Sequence, residues 1–272
     1  MPMREISPTP DDPSAAPAAV YDRVIAASLD RIWENVLDWE HLPYLHAQSF
    51  AAVRPLSAGN DGWRAILDLP GGSGTTEVEV TLERPRLRYT TATVAGFGEG
   101  SRIVTTLTPV ARDSTAIHVE FVLPWAPSGA AARIGEAYKA MYAVLWDQDE
   151  AMMVRRQQLL DGVGPVAASD RIELGHLDDL RAHLPLQLEV GSARVVLFEE
   201  AGELLVADLL CPHLGGPLEA RADRQLVCPW HGYRFDARTG ASCDGRSLRL
   251  RRTARAHVEE GGLVVVTTRR AS

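Results

Sequence analysis

The chain has 272 residues, which is enough for two domains that each bury a hydrophobic core. Its formal charge of −8 argues against nucleic acid as the main partner. No apolar run approaches the length of a membrane span, so a membrane protein is not expected.

The first stretch of the chain, residues 1–18, is rich in Pro, Asp and Ala and has no apolar signal core. Such a composition cannot bury enough apolar surface to fold, so we expect a disordered leader.

Residues 19–161 are predicted to form an α+β domain. A strand at 20–27 precedes a helix that begins near Ser28, since serine is a preferred N-cap residue. Apolar residues alternate with polar ones at 76–82 and at 116–123, which predicts antiparallel strands with one buried face. A long final helix follows these strands, so we expect a curved sheet that grips this helix around a cavity.

Four polar side chains occur where the first predicted helix ends, namely Asn35, Asp38, His41 and His46. Two histidines and one carboxylate suit ferrous iron and leave positions open for O2. Pro43 suits the first turn of a new helix, so we expect a break in the backbone that re-aims His41. The alternative is that the histidines are ordinary residues of a buried interface.

The long helix, predicted over 128–160, offers a further carboxylate. Its predicted apolar stripe comprises Ile134, Tyr138, Met141, Leu145, Met152 and Leu159. Asp149 falls within this stripe, whereas Asp147 lies on the opposite face and Glu150 to the side. A carboxylate among apolar residues is costly unless it is paired or binds a metal, which favours Asp149. The alternative is an aspartate at the edge of a buried face.

The small, Gly- and Pro-containing stretch at 162–169 predicts a linker, and residues 170–270 predict a second domain. This domain reads as all-β apart from a short helix near 177–184. Its clearest strands are expected at 195–198, 204–208, 225–228 and 263–268.

Two short motifs in the second domain each supply one thiol and one imidazole. CPHLGG contains Cys211 and His213, and CPWHGYRFD contains Cys228 and His231. This set suits a [2Fe–2S] cluster in which the cysteines hold one iron and the histidines hold the other. Two Cys and two His also bind zinc, but zinc fingers present a Cys pair and then a His pair, whereas each pair here is mixed. With two of the three cysteines in the cluster, no disulfide pair remains, which fits the cytoplasm.

The region from 170 to 268 resembles the Rieske iron–sulfur domain family through these two motifs. Rieske proteins of the respiratory cytochrome complexes carry an additional disulfide, and Gly216 and Trp230 stand here at its two positions. The resemblance therefore implies the lower-potential oxygenase or ferredoxin branch. The remaining thiol, Cys243, is interpreted as a bystander.

Residues 19–161 resemble the START-like (SRPBCC) helix-grip family, which includes the catalytic domains of Rieske oxygenases. The stretch around His41 and His46 resembles the mononuclear-iron motif of those domains. The resemblance implies that His41, His46 and Asp149 bind iron. It also implies that Asp38 bridges an iron-ligand histidine and a cluster histidine. The domain order is the reverse of that in most relatives, whose Rieske domain comes first.

Together these resemblances imply a Rieske non-haem iron mono- or dioxygenase. Electrons would pass from the [2Fe–2S] cluster to a mononuclear Fe(II) that activates O2 for hydroxylation of a small hydrophobic organic substrate. No flavin or nicotinamide motif is present, so a separate NAD(P)H-dependent reductase or a ferredoxin is expected as the electron donor. The family's ring assemblies imply a homo-oligomer. The alternative is a START-like ligand-binding module fused to a Rieske electron-transfer domain without mononuclear iron.

Overall fold

A computed structural model describes residues 16–162, 170–221 and 223–269. The chain divides into two units. The first comprises residues up to Trp39 with His46–Glu150, and the second comprises Glu40–Leu45 with the residues from Ala151 onward. The predicted leader lies outside the described residues up to position 15, and the predicted linker lies outside them from position 163 to 169. The domain boundaries given above stay a prediction.

Seven antiparallel strands build the sheet of the first unit. In chain order they are β1 (Ala19–Ile25), β2 (Ala52–Gly59), β3 (Gly62–Asp68), β4 (Thr75–Glu83), β5 (Arg88–Gly96), β6 (Arg102–Ala111) and β7 (Ser114–Val122). Their order across the sheet is β1-β7-β6-β5-β4-β3-β2, so every strand except β1 pairs with a neighbour in sequence. The predicted alternation is confirmed, because its apolar positions are buried: Val78, Val80, Leu82, Ile117, Val119, Phe121 and Leu123.

The first helix, α1 (Leu29–Leu37), begins as predicted at Ser28, whose hydroxyl accepts a hydrogen bond from the Arg31 N–H at 3.4 Å. The helix stops at Asp38, which has φ −86° and ψ 81°. One turn of 3-10 helix and then α2 (Leu42–Leu45) follow, with Pro43 in the first turn of α2. The predicted break before His41 is therefore confirmed.

The long helix, α3, spans Ala131–Leu160. Within the first unit it packs on the sheet, because the Tyr138 and Tyr142 rings lie 6.0 and 5.0 Å from that of Phe121 on β7. An antiparallel sheet with a long helix against it confirms the predicted α+β class of this unit.

The predicted apolar stripe of α3 is wrong in part. Met141 is 36% exposed, whereas Trp146, which the stripe omits, is 4% exposed. The large indole and Met153 turn inward, so the buried face is rotated by about one residue. Asp149 stays on that face, three residues after Trp146 and four before Met153.

Nine strands in the second unit form three antiparallel sheets of three strands each, among the residues that the structure describes. The strands are β8 (Arg171–His176), β9 (Leu186–Val190), β10 (Ala193–Glu200), β11 (Glu203–Asp208), β12 (Glu219–Ala220), β13 (Gln225–Val227), β14 (Arg234–Asp236), β15 (Ala254–Val258) and β16 (Leu263–Thr268). The sheet orders are β11-β10-β9, β12-β13-β14 and β15-β16-β8. A short helix, α4 (Leu177–Leu180), is the expected exception to an all-β domain.

Two apolar clusters form the core of the second unit. One surrounds Cys211 and Cys228 and includes Met152 from the end of α3. The other lies between β8–β11, β15 and β16. Among the described residues, no helix combines the length and the apolar character that crossing a membrane requires.

Candidate redox centre and metal site

The two Cys-Pro motifs fold into matching backbone loops. In each loop the cysteine N–H donates to the carbonyl five residues later, and the cysteine carbonyl accepts from the glycine N–H four residues later. These distances are 2.9 and 3.0 Å for Cys211 and 2.9 and 2.8 Å for Cys228. The two glycines, Gly215 and Gly232, have φ of 81° and 64°, a left-handed conformation that glycine adopts without strain.

The loops bring the four predicted cluster ligands together. Both thiols are buried, and Cys228 hydrogen-bonds to Cys211 and to His231. The rings of His213 and His231 lie 4.6 Å apart. The hydrogen bond with Cys211 lowers the pKa of the Cys228 thiol, and the same pairing raises the pKa of the Cys211 thiol. Two sulfurs and two imidazoles gathered in one unit fit a [2Fe–2S] cluster.

Gly216 allows the first loop to approach the second. A Cβ at this position would lie 2.7 Å from Cys228 Sγ and 3.0 Å from the ring of Trp230. The two positions of the respiratory disulfide are thus neighbours in space, and an indole packed on a glycine takes the place of the bond.

A second polar group lies in the first unit, where Asn35 of α1 and His46 meet Gln148 and Asp149 of α3. The Nε2 atom of His46 is 3.0 Å from Asp149 Oδ1, and its Nδ1 atom is 2.8 Å from Gln148 Oε1. Asn35 donates to the same oxygen of Asp149 at 3.1 Å. Burial lowers the pKa of His46, but the hydrogen bond with Asp149 and its charge outweigh burial and raise it.

His46 and Asp149 thus pair within the first unit, whereas His41 belongs to the second unit. Both histidines are buried, and the Asp149 side chain is only 14% exposed. Two imidazoles and a carboxylate suit Fe(II). Asp38, the remaining predicted site residue, caps the end of α1. Its role as a bridge stays a prediction.

The other two carboxylates of the DQDE segment bind a cation of the chain itself. Arg23 donates to Asp147 at 2.5 Å and forms a close ion pair with Glu150. Glu150 also accepts the Ala26 N–H at 2.6 Å. The Asp147 side chain is 66% exposed. These contacts support the choice of Asp149 from this segment.

Two residues orient His46 and Asp149: Asn35, which the sequence analysis names without a role, and Gln148, which it does not name. Gln148 directly precedes Asp149, and Asn35 belongs to the same motif as His41. This closeness in sequence to the predicted ligands could have indicated their roles. A metal-bound histidine usually donates its second N–H to an acceptor of this kind, and Gln148 Oε1 would serve in that way.

Two tyrosines, Tyr89 on β5 and Tyr142 on α3, interact electrostatically with Asp149. Burial raises the pKa of Tyr89 and of Tyr142, and the charge of Asp149 adds to the rise. Both phenols therefore stay protonated at neutral pH and can act as hydrogen-bond donors.

A third set of side chains surrounds the cluster histidines in the second unit. The Tyr233 ring lies 4.9 Å from that of His213 and 5.5 Å from that of His231. Its hydroxyl donates to Glu40 Oε2 at 2.8 Å. Arg246 donates to the same oxygen at 2.6 Å. Burial and the bond with Glu40 raise the pKa of Tyr233 to about 12.

The sequence model of the Rieske [2Fe–2S] domain family matches residues 170–252. The second unit holds a Rieske domain. A human Rieske domain-containing protein is 33% identical over 73 residues, which are 25% of this chain and 46% of that relative. The match thus spans about half the length of the relative.

Solved structures resemble the two halves separately. A START superfamily protein from Mycobacterium smegmatis is 20% identical, with a TM-score of 0.39 over 49% of this chain and 97% of that protein. The ferredoxin of carbazole 1,9a-dioxygenase from Nocardioides aromaticivorans IC177 is 23% identical, with a TM-score of 0.30 over 38% of this chain and 100% of the ferredoxin.

Proposed function

We propose that this chain is a Rieske-type non-haem iron oxygenase whose START-like domain precedes its Rieske domain. The observation that carries the proposal is the pair of His46 and Asp149 in the first unit, whose Nε2 and Oδ1 atoms lie 3.0 Å apart, and His41 is proposed as the third ligand. A largely buried carboxylate paired with a buried imidazole is a donor set that suits a ferrous ion.

Cys211, Cys228, His213 and His231 would hold the [2Fe–2S] cluster, and His41, His46 and Asp149 would hold Fe(II). The cluster supplies single electrons and the iron supplies O2 activation when both are bound. The protein's own contribution is orientation and burial. Gln148 fixes the ring of His46, and Asn35 fixes the carboxylate of Asp149.

Asp38 is proposed to hydrogen-bond one histidine of each group and so to hold the two ligand sets in a fixed relation. It immediately follows α1 and precedes His41 by three residues. The protonated phenols of Tyr89 and Tyr142 would donate hydrogen bonds to a hydroxyl or carbonyl oxygen of a hydrophobic organic substrate beside Asp149.

O2 is the proposed co-substrate, and the product is a mono- or dioxygenated compound. Electrons would come from an NAD(P)H-dependent reductase, directly or through a ferredoxin. We further propose a cytoplasmic homo-oligomer.

The metal content tests the proposal directly. Protein reconstituted anaerobically with iron and sulfide should bind the two cluster irons and one more per chain. It should also consume O2 when a chemical reductant and a hydrophobic substrate are supplied. Iron that stays at the cluster level, with no O2 consumption under any reductant, would support the alternative of a ligand-binding module fused to an electron carrier.

A histidine variant separates the two sites. His46→Ala should keep the visible spectrum of the cluster, lose the additional iron and lose turnover. His118→Ala is the matched control, because His118 is exposed and pairs only with Asp22 at 2.7 Å among the contacts described. Bleaching of the cluster in the His46 variant would mean that the ligand assignment is wrong.

A further inference from the structure

Tyr233 connects the two cluster histidines to a pair of opposite charges. Its ring lies against both imidazoles, at 4.9 Å from His213 and 5.5 Å from His231. The guanidinium of Arg246 stacks on the same ring, 3.9 Å from its centroid. A cation therefore lies one aromatic ring away from the histidine edge of the cluster.

Glu40 balances that cation. A single oxygen, Oε2, accepts both the Tyr233 hydroxyl at 2.8 Å and the Arg246 guanidinium at 2.6 Å. The Glu40 and Arg246 side chains are 34% and 37% exposed, so water screens their charges only in part. The pair is nearly neutral as a whole, but its two members can be removed separately.

The same carboxylate anchors the segment that carries His41. Glu40 directly precedes His41, and the His41 ring lies 6.4 Å from that of His231. Tyr44 of the same segment covers Gly232 in the second cluster loop, where a Cβ would overlap the phenol ring. Segment Glu40–Leu45 is thereby fastened to the second loop at two points, the Glu40 oxygen and the Tyr44 ring.

We propose that Glu40, Tyr233 and Arg246 are positioning residues that set the reduction potential of the cluster and fix its histidine edge against the segment that carries His41. The two charges act in opposite directions. Reduction transfers one electron from an external one-electron donor to the cluster and adds one negative charge there. Arg246 stabilises that charge and Glu40 destabilises it.

The experiment measures the cluster potential of the full-length, reconstituted protein by titration against viologen and quinone mediator dyes. Arg246→Gln should lower the potential, and Glu40→Gln should raise it. Each change should alter the ratio of reduced to oxidised cluster several-fold at a fixed mediator potential. The double variant should return towards wild type, and added salt should shrink both shifts.

Conservative variants separate charge from packing. Arg246→Lys keeps the cation, so its potential should stay near that of wild type, although lysine cannot reproduce the planar stack. Tyr233→Phe keeps the ring and removes the hydroxyl, so it should change the electron paramagnetic resonance spectrum of the reduced cluster with a smaller shift in potential.

The control is Arg234→Gln, which removes an arginine next to Tyr233 in sequence. Arg234 pairs with Asp244 at 2.9 Å and is half exposed. Shifts of Glu40→Gln and Arg246→Gln in the same direction, or shifts no larger than that of the control, would overturn the proposal. If Glu40→Gln fails to hold a cluster, the comparison of Arg246→Gln with Arg246→Lys decides the matter alone, since equal potentials would refute it.

This inference requires the cluster and not the mononuclear iron. Cluster potentials that shift as expected in a protein without the additional iron would support the role of Glu40, Tyr233 and Arg246 and reject the oxygenase. Unshifted potentials in a protein that consumes O2 would do the reverse.

Discussion

The cluster loops and the His46–Asp149 group hold their polar side chains in different ways. The cysteines of the loops are fixed by backbone hydrogen bonds that repeat in both loops, from Cys211 to Gly215 and from Cys228 to Gly232. His46 and Asp149 are fixed by other side chains, those of Gln148 and Asn35. An arrangement held by backbone hydrogen bonds (the backbone frame) tolerates changes in neighbouring side chains. An arrangement held by side-chain hydrogen bonds (the side-chain frame) is lost when one of its amide side chains is removed.

The frames also differ in how their partners lie along the chain. Each loop closes within six residues, but Asn35 and Asp149 are separated by 114 residues. Each cluster loop is therefore a local structure, whereas the pairing of Asn35 with Asp149 depends on correct packing of α1 against α3 within the first unit.

The largest effect is expected at the loops. Cys228→Ser should abolish the visible absorption of the cluster, because serine is a poor ligand for this iron and Cys228 is fully buried. Iron, sulfide and visible absorption measure the outcome. Cys243→Ser is the control, since that thiol is exposed, and it should leave all three unchanged. Equal bleaching in both variants would contradict the ligand assignment.

Gly216 tests how closely the loops must approach. In Gly216→Ala the new methyl group would lie 2.7 Å from Cys228 Sγ, so one loop must shift. We expect a loss of about 1–3 kcal/mol in the free energy of unfolding and a lower cluster content. Denaturant titration gives the first and iron analysis the second. Gly129→Ala, where the added methyl meets open space, should cost far less. Equal losses of stability in the two variants would show that the loops can move apart without a free-energy cost.

The side-chain frame should fail by a different route. Gln148→Ala removes the acceptor of the His46 Nδ1–H and should weaken Fe(II) binding beyond the cluster by about tenfold to a hundredfold. Anaerobic iron titration of the cluster-loaded protein measures this loss, and the cluster spectrum should not change. Gln157→Ala, on the same helix and bonded to exposed Asp161, is the control. An unchanged affinity for Fe(II) in Gln148→Ala would show that Gln148 does not support the iron site.

Local sequence was enough to predict the cluster loops. The four ligands and the tight turns around Gly215 and Gly232 lie in two short motifs, so no long-range packing had to be known. The start of α1 and the break before α2 were predictable for the same reason, because the N-cap Ser28 and Pro43 each act on the residues next to them.

Long-range partners were not predictable. The Tyr233 hydroxyl donates a hydrogen bond to Glu40, 193 residues away in sequence, and Arg246 donates one to Glu40 across 206 residues. Neither motif carries a sign of this pairing. The apolar stripe of α3 shows the same limit, since hydrophobicity gave equal weight to Met141 and to its buried neighbours. Tertiary packing buries Trp146 and leaves Met141 exposed.

The smallest expected effect separates stability from positioning. Ser28→Ala removes the side-chain oxygen that accepts the Arg31 N–H at the start of α1. The loss should be about 0.5–1 kcal/mol in the free energy of unfolding, measured by denaturant titration. Asn35 lies near the other end of α1, so fraying of the first turn should leave iron affinity and the cluster spectrum unchanged. Ser28→Thr, which keeps a capping hydroxyl, should recover most of the loss. If Ser28→Ala instead weakened iron binding as much as Gln148→Ala does, the position of Asp149 would depend on the whole of α1. The proposed iron group would then differ even more from the cluster loops, which depend only on nearby residues.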